Sequence, residues 1–253
     1  MSAPLPHLRA GRGPVLVLVH GYLGGAAQWE AEIARFSATH DVIAPNLPGF
    51  GAAADLPGCD RIEGFAQAVI ELLDQLGIDR FILLGHSMGG MIAQEIAANH
   101  ADRVERLVLY GTGPLGAMPD RFEPLDTSRA RLVDDGVAAT ASRIGATWFL
   151  KGEDAAGFAA VRDIGAQASV QAARAALDAM AHWDGRPALD RLTMPTLVLW
   201  GDNDRSYRWQ QVESLWRNLP LGQLAVIPAA AHAAHLEKPR LFHEMVEGFL
   251  EDA

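Results

Sequence analysis

Ser87 is the residue from which a chemistry can first be read. It stands in LLGHSMGGM, residues 83 to 91, with Gly85 and Gly89 completing a G-x-S-x-G pattern. Glycines at those positions let the backbone turn tightly and pack without a Cβ clash. The strand-like run RFILLG precedes the serine and the helix-like run MGGMIAQEIAANH follows it. Ser87 is therefore expected on a sharp turn at the carboxyl end of a central strand, the edge where ligands bind in open sheets of this class. A helix N-terminus at that turn favours developing negative charge. A serine hydroxyl is a weak nucleophile at neutral pH unless a base removes its proton. Farther along, LVLWGDNDRSY supplies Asp202 and Asp204, and LAVIPAAAHAAHLEKP supplies His232 and His235, each pair just past a strand-like run. A hydroxyl, an imidazole and a carboxylate together support acyl transfer, with imidazole as base and the carboxylate as its orienting partner.

Those groups need a scaffold, and two alternating periods describe it. Short apolar runs bounded by Gly or Pro occur at VLVLV (15–19), DVIAP (41–45), FILLG (81–85), RLVLYG (106–111), TLVLWG (196–201) and LAVIP (224–228). Continuous runs of this length read as strands buried on both faces. Helical patterns lie between them. The clearest starts at Asp60 with Glu63 as a capping box, presents Phe65, Val69, Leu72, Leu73 and Leu76, and stops at Gly77. The alternation predicts an α/β fold, a mostly parallel doubly wound sheet with helices on both faces. Between Thr112 and Arg191 it breaks into alanine-rich helical sequence, as in VAATASRIGATWFL and SVQAARAALDAMAHW. Because the strand pattern resumes at MPTLVLWG, residues 112–191 read as a helical insertion. The core then comprises residues 1–111 and 192–253.

Composition narrows the partners. A net charge of −10 and a pI near 5.3 argue against nucleic acid and against an anionic membrane surface. Cys59 is the single cysteine, so no internal disulfide forms and no thiol-based metal site is expected. The opening MSAPLPHLRAGRGP lacks the order of a signal peptide, and no run is long enough to span a bilayer. The expectation is a cytoplasmic monomer or homodimer acting on a small molecule.

Taken together, the serine turn, the acid loop and the histidine loop resemble the α/β-hydrolase superfamily over nearly the whole chain. That resemblance implies the α/β-hydrolase fold with a helical lid inserted after the sixth family strand. It also implies a chain order of serine, acid, histidine. The family's acid loop reads G-x-x-D, which selects Asp204, and its last motif reads H-x-x-x-x-E-x-P, which selects His232 in HAAHLEKP. His235 becomes a neighbour that packs against or lines the pocket. LVHGYLGG resembles the family's oxyanion loop, so the backbone N–H groups of Tyr22 and Met88 are expected to hold an oxyanion. His20 and the loop NLPGFG (46–51) receive structural roles. The acid loop departs from the family by running DRSYRW where a proline is common, and Ala229, Ala230 and Ala231 replace Gly-Ala-Gly before the histidine.

The resemblance implies a serine hydrolase without metal or organic cofactor, acting on a small carboxylic ester or lactone. Alternatives within it are a C–C bond hydrolase of ring-cleavage products, a lyase of the menaquinone pathway, a cofactor-free oxygenase and a non-catalytic small-molecule receptor. HGYLGGAAQW is similar to the opening of the menaquinone-pathway family, although that family places tyrosine where this chain has His86. The insertion should cover the site and set specificity. Pocket candidates are His86, Trp148, Phe149, Trp183 and His235. Arg121 and Arg129, with Arg131 and Arg143, are candidates for binding a substrate carboxylate.

Overall fold

The computed structural model describes residues 3–117 and 122–251. Its sheet has seven strands: β1 (His7–Gly11), β2 (Val15–Val19), β3 (Asp41–Pro45), β4 (Phe81–His86), β5 (Val104–Tyr110), β6 (Thr196–Gly201) and β7 (Gly222–Ile227). Their order is β1-β3-β2-β4-β5-β6-β7. Only the β1–β3 pair is antiparallel; every other pair is parallel. Each apolar run in the sequence forms a strand, and β2, β3 and β6 keep the expected ends. The antiparallel edge is the single five-residue β1.

Helices close both faces. They are α1 (Glu30–Phe36), α2 (Ile62–Gln75), α3 (Met88–Asn99), α4 (Leu125–Thr147), α5 (Phe158–Gly165), α6 (Val170–His182), α7 (Trp209–Arg217), α8 (Ala234–Glu237) and α9 (Pro239–Glu251). Successive side chains of a strand point to opposite faces, so β2 divides between two cores. Val17 and Val19 join α2 and α3, while Leu16 and Leu18 pack with Trp29, Phe36, Phe242 and Val246. All six residues of β4 are buried. The terminal strand β7 departs from the expected two-sided burial, because it has no neighbour beyond it and Val226 remains 39% exposed.

The start of α2 corrects the capping box. Arg61 is its N-cap, extended and without a side-chain cap, so Asp60 and Glu63 do not close the helix reciprocally. Its end is as expected: Gly77 has φ 69°, Gly77 N–H donates to Asp74 O at 3.1 Å and Ile78 N–H to Leu73 O at 2.9 Å.

From β5 to β6 the chain is helical among the described residues, apart from one isolated bridge between Leu115 and Asp184. α4 packs on α5 and α6 and kinks at Gly136, whose φ of 79° and ψ of 173° are essentially reserved for glycine. No described helix is long and apolar enough to cross a membrane.

Candidate active site

Strand β4 delivers Ser87 directly onto α3. Ser87 has φ 59° and ψ −121°, a conformation that costs a non-glycine residue about 1–3 kcal/mol. Surrounding bonds hold it there. Its N–H donates to Tyr110 O at 2.9 Å, and its carbonyl accepts from Gly90 N–H at 2.9 Å and from the Thr112 hydroxyl at 2.8 Å. The turn also needs bare backbone, since a Cβ on Gly89 would collide with the carbonyls of Val19 and His20, and one on Gly85 with Gly89.

The loops after β6 and β7 bring Asp204 and His232 together. His232 Nδ1 lies 2.7 Å from Asp204 Oδ2, with both side chains buried. The other carboxylate oxygen of Asp204 accepts from the N–H groups of Ser206 (2.7 Å) and Tyr207 (3.1 Å). Both donors lie in the DRSYRW stretch, where the loop departs from proline. Asp202 turns elsewhere, accepting from Asn203 Nδ2 at 2.6 Å and from Ala230 N–H at 3.3 Å. The Ala229–Ala231 departure leaves Ala229 at φ 51°, a region where glycine is free and alanine strained.

Ser87 and His232 share one narrow cavity of about 20 Å³ with Tyr22, Phe122, Ile144, Trp148, Met180, Ser206 and Tyr207. The His232 ring stacks on Tyr207, centroids 5.6 Å apart at 13°, and meets the edge of Trp148 at 5.4 Å. Gly21 packs on the serine so closely that a Cβ there would lie 2.8 Å from Ser87 Cβ. This brings the His20–Gly21–Tyr22 turn beside the hydroxyl, while Met88 opens α3.

His20 braces that turn. Its Nε2 accepts from Leu47 N–H at 3.0 Å, so Nδ1 carries the proton and donates to Gly21 O at 2.9 Å. The NLPGFG loop is thereby tied to the turn, and burial lowers the His20 pKa to about 4.

His86 lies behind His232, outside the cavity lining. Its Nε2 is 3.1 Å from His232 O and its ring stacks on Tyr110 at 4.5 Å. Burial first, then the nearby His232 and His235, hold its pKa well below 6.5. His235 is also behind the site, with Nδ1 3.1 Å from the Tyr110 hydroxyl. Trp148 lines the cavity. Phe149 instead faces a neighbouring groove with Leu236 and Gly157, and Trp183 sits over α3, its indole N–H 3.4 Å from Glu95. Arg129 pairs with Asp126 at 2.5 Å and Asp178 at 2.6 Å. Arg131 and Arg143 both pair with the buried Glu123. Arg121 lies outside the described residues. Burial, then the Asp60 charge, raise the Cys59 thiol to about 11, which leaves it an inert thiol at neutral pH.

Sequence reasoning missed Tyr110, Ile144, Met180 and Tyr207. Tyr207 carried a signal, three residues after the acid in a loop that must supply donors. The others read as ordinary core positions of a strand and two helices.

A family model described as the alpha/beta hydrolase family matches residues 16–245. The 3-oxoadipate enol-lactonase 2 of Acinetobacter baylyi is 28% identical over 243 residues, covering 94% of this chain and 89% of the relative. A 2-hydroxy-6-oxo-6-phenylhexa-2,4-dienoate hydrolase from Burkholderia cepacia is 29% identical over 257 residues, covering 95% of this chain and 89% of the relative. Among solved structures, a thermophilic esterase from Thermogutta terrifontis superposes with a TM-score of 0.88 at 27% identity, over 97% of this chain and 92% of that one. These similar proteins are hydrolases, and with the match running from β2 into α9 the chain belongs to the alpha/beta hydrolase family.

Proposed function

We propose that this protein is a serine hydrolase that cleaves a small, uncharged carboxylic ester or lactone through an acyl-enzyme. The observation that carries the reading is the 2.7 Å contact between His232 Nδ1 and Asp204, made by an imidazole that lines the same narrow cavity as Ser87. A carboxylate on Nδ1 fixes the tautomer that leaves a lone pair on Nε2. His232 then takes the Ser87 proton as the hydroxyl oxygen bonds to the substrate carbonyl carbon. The N–H groups of Tyr22 and Met88 hold the oxyanion, each donor contributing about 3–4 kcal/mol. His232 returns the proton to the leaving alkoxide, and water regenerates the serine with the same base.

Substrate class follows from the lining. Among the described residues the cavity presents aromatic, aliphatic, thioether and hydroxyl groups and the His232 imidazole, and neither Lys nor Arg. The dienoate named for the Burkholderia relative carries a carboxylate, which has no counter-charge in this lining. Neutral esters and lactones fit it better than a C–C substrate of that kind. At about 20 Å³ the cavity accommodates roughly one water. In this reading substrate enters as Ile144 on α4, Trp148 at the end of α4 and Met180 on α6 move aside, and the insertion acts as a lid.

Fluorophosphonate labelling with peptide mapping tests the nucleophile, and Ser87 is the expected adduct. Labelling at any other residue, or hydrolysis of nitrophenyl acetate that persists in Ser87→Ala, overturns the proposal. A preference for anionic over neutral esters of equal size overturns the substrate class.

A further inference from the structure

Behind His232 lies a second set of titratable groups that the hydrolytic steps do not use. Tyr110, at the end of β5, places its hydroxyl 2.8 Å from the backbone carbonyl of His232. That carbonyl has a second contact, His86 Nε2 at 3.1 Å. The same hydroxyl oxygen is 3.1 Å from His235 N–H and 3.1 Å from His235 Nδ1. A hydroxyl has one proton and two lone pairs. With its proton on His232 O, its oxygen accepts from the His235 N–H and from Nδ1–H. His235 then bears its ring proton on Nδ1, and Nε2 keeps a lone pair.

Nε2 of His235 is enclosed and has no hydrogen-bond partner. Two more enclosed atoms without a partner lie in the same neighbourhood: Glu32 Oε2 and Trp29 Nε1. The rings of Trp29 and His235 are 5.0 Å apart, and the charge of Glu32 acts on both His235 and Tyr110. Glu32 projects from α1 into an apolar core with Trp29, Phe36 and Phe242, with 0% of the residue exposed. Its other oxygen is 3.2 Å from His243 Nε2. A carboxyl group buried there costs several kcal/mol that an apolar side chain of similar volume avoids. The three atoms offer one donor, Trp29 N–H, and two acceptors, Glu32 Oε2 and His235 Nε2. One water complements them, accepting once and donating twice.

We infer that a buried water joins Trp29, Glu32 and His235, and that through His235 and Tyr110 this array fixes the backbone carbonyl of His232. Glu32, His235 and Tyr110 are thus positioning residues, acting on the base through its backbone carbonyl while Asp204 acts on its ring. The inference rests on the reading of His232 as the general base.

A double-mutant cycle tests it. Tyr110→Phe removes one hydroxyl from a ring of unchanged shape, and Glu32→Gln keeps the volume of the carboxyl. On nitrophenyl acetate each variant is expected to lose about tenfold in kcat with KM within about twofold. The double variant should lose little more than either alone, because both act through the same carbonyl. Losses that multiply, or a Glu32→Gln enzyme with wild-type kcat, overturn the inference. So does a crystal structure at high resolution with no water within hydrogen-bond reach of the three atoms. A wild-type enzyme that is not labelled at Ser87 overturns the underlying reading of the site instead.

Discussion

Asp204→Asn is the substitution whose effect the geometry determines most closely. One carboxylate oxygen of Asp204 accepts two backbone N–H bonds, from Ser206 and Tyr207, and the other faces His232 Nδ1. An asparagine must keep its carbonyl oxygen on the two N–H groups, because turning its amide there would set three buried donors against each other. Its NH₂ then faces His232 and donates to Nδ1, which moves the ring proton to Nε2. In the proposed mechanism, the nitrogen that accepts the serine proton is then itself protonated. To react, the ring must take the minority tautomer, breaking the Asn–His bond and leaving two buried donors face to face. Together these cost about 4–5 kcal/mol. At about 1.36 kcal/mol per decade, kcat falls by roughly 10³- to 10⁴-fold. Steady-state hydrolysis of nitrophenyl acetate at pH 7.5 measures it, with urea unfolding alongside to show that the variant is folded. Asp202→Asn is the control: Asp202 points to Asn203 and Ala230, so that enzyme keeps most of its rate. A folded Asp204→Asn enzyme retaining more than about a tenth of wild-type kcat refutes this tautomer argument.

Three further outcomes follow from the same contacts. Glu237 accepts from Leu150 N–H at 2.8 Å and from Ala231 N–H at 2.6 Å, tying the insertion to the histidine loop, so Glu237→Ala should destabilise by about 2–3 kcal/mol in urea unfolding; a loss below about 0.5 kcal/mol would show the tie to be unimportant. Ala229 sits at φ 51°, and Ala229→Gly should raise stability by about 0.5–1 kcal/mol, the strain relieved outweighing the entropy gained by the unfolded chain; a drop in the urea midpoint counts against strain at this position. Burial lowers both His20 and His235 to about 4, below the unfolded value near 6.5. The unfolded chain therefore binds more protons, and the stability these residues contribute is complete above pH 6.5 and is lost as pH falls toward 4, on the order of 3 kcal/mol for each. Unfolding free energies that stay flat from pH 7 to pH 4.5 would contradict their neutral burial.

The sequence alone determined the parts of this protein that depend on neighbours along the chain. Strand runs, the glycine turn at Ser87 and the stop at Gly77 are local: side-chain alternation and turn chemistry are written within a few residues, and the fold appears as read. The capping box at Asp60 was legible too and still failed, because Arg61 rather than Asp60 takes the N-cap position of α2. The groups able to do acyl-transfer chemistry were also visible as types. Tertiary structure decided which of them meet. Asp204 and His232 are 28 positions apart, and His86 reaches the carbonyl of His232 across 146. It also turned Arg129, Arg131 and Arg143 onto Asp126, Asp178 and Glu123, and set Tyr110, Ile144, Met180 and Tyr207 around His232. Apart from Tyr207, three residues past the acid, nothing in a local pattern distinguishes those residues from ordinary core or surface. Their roles follow from side-chain distances of a few ångströms, which exist only once the sheet, helices and insertion have packed.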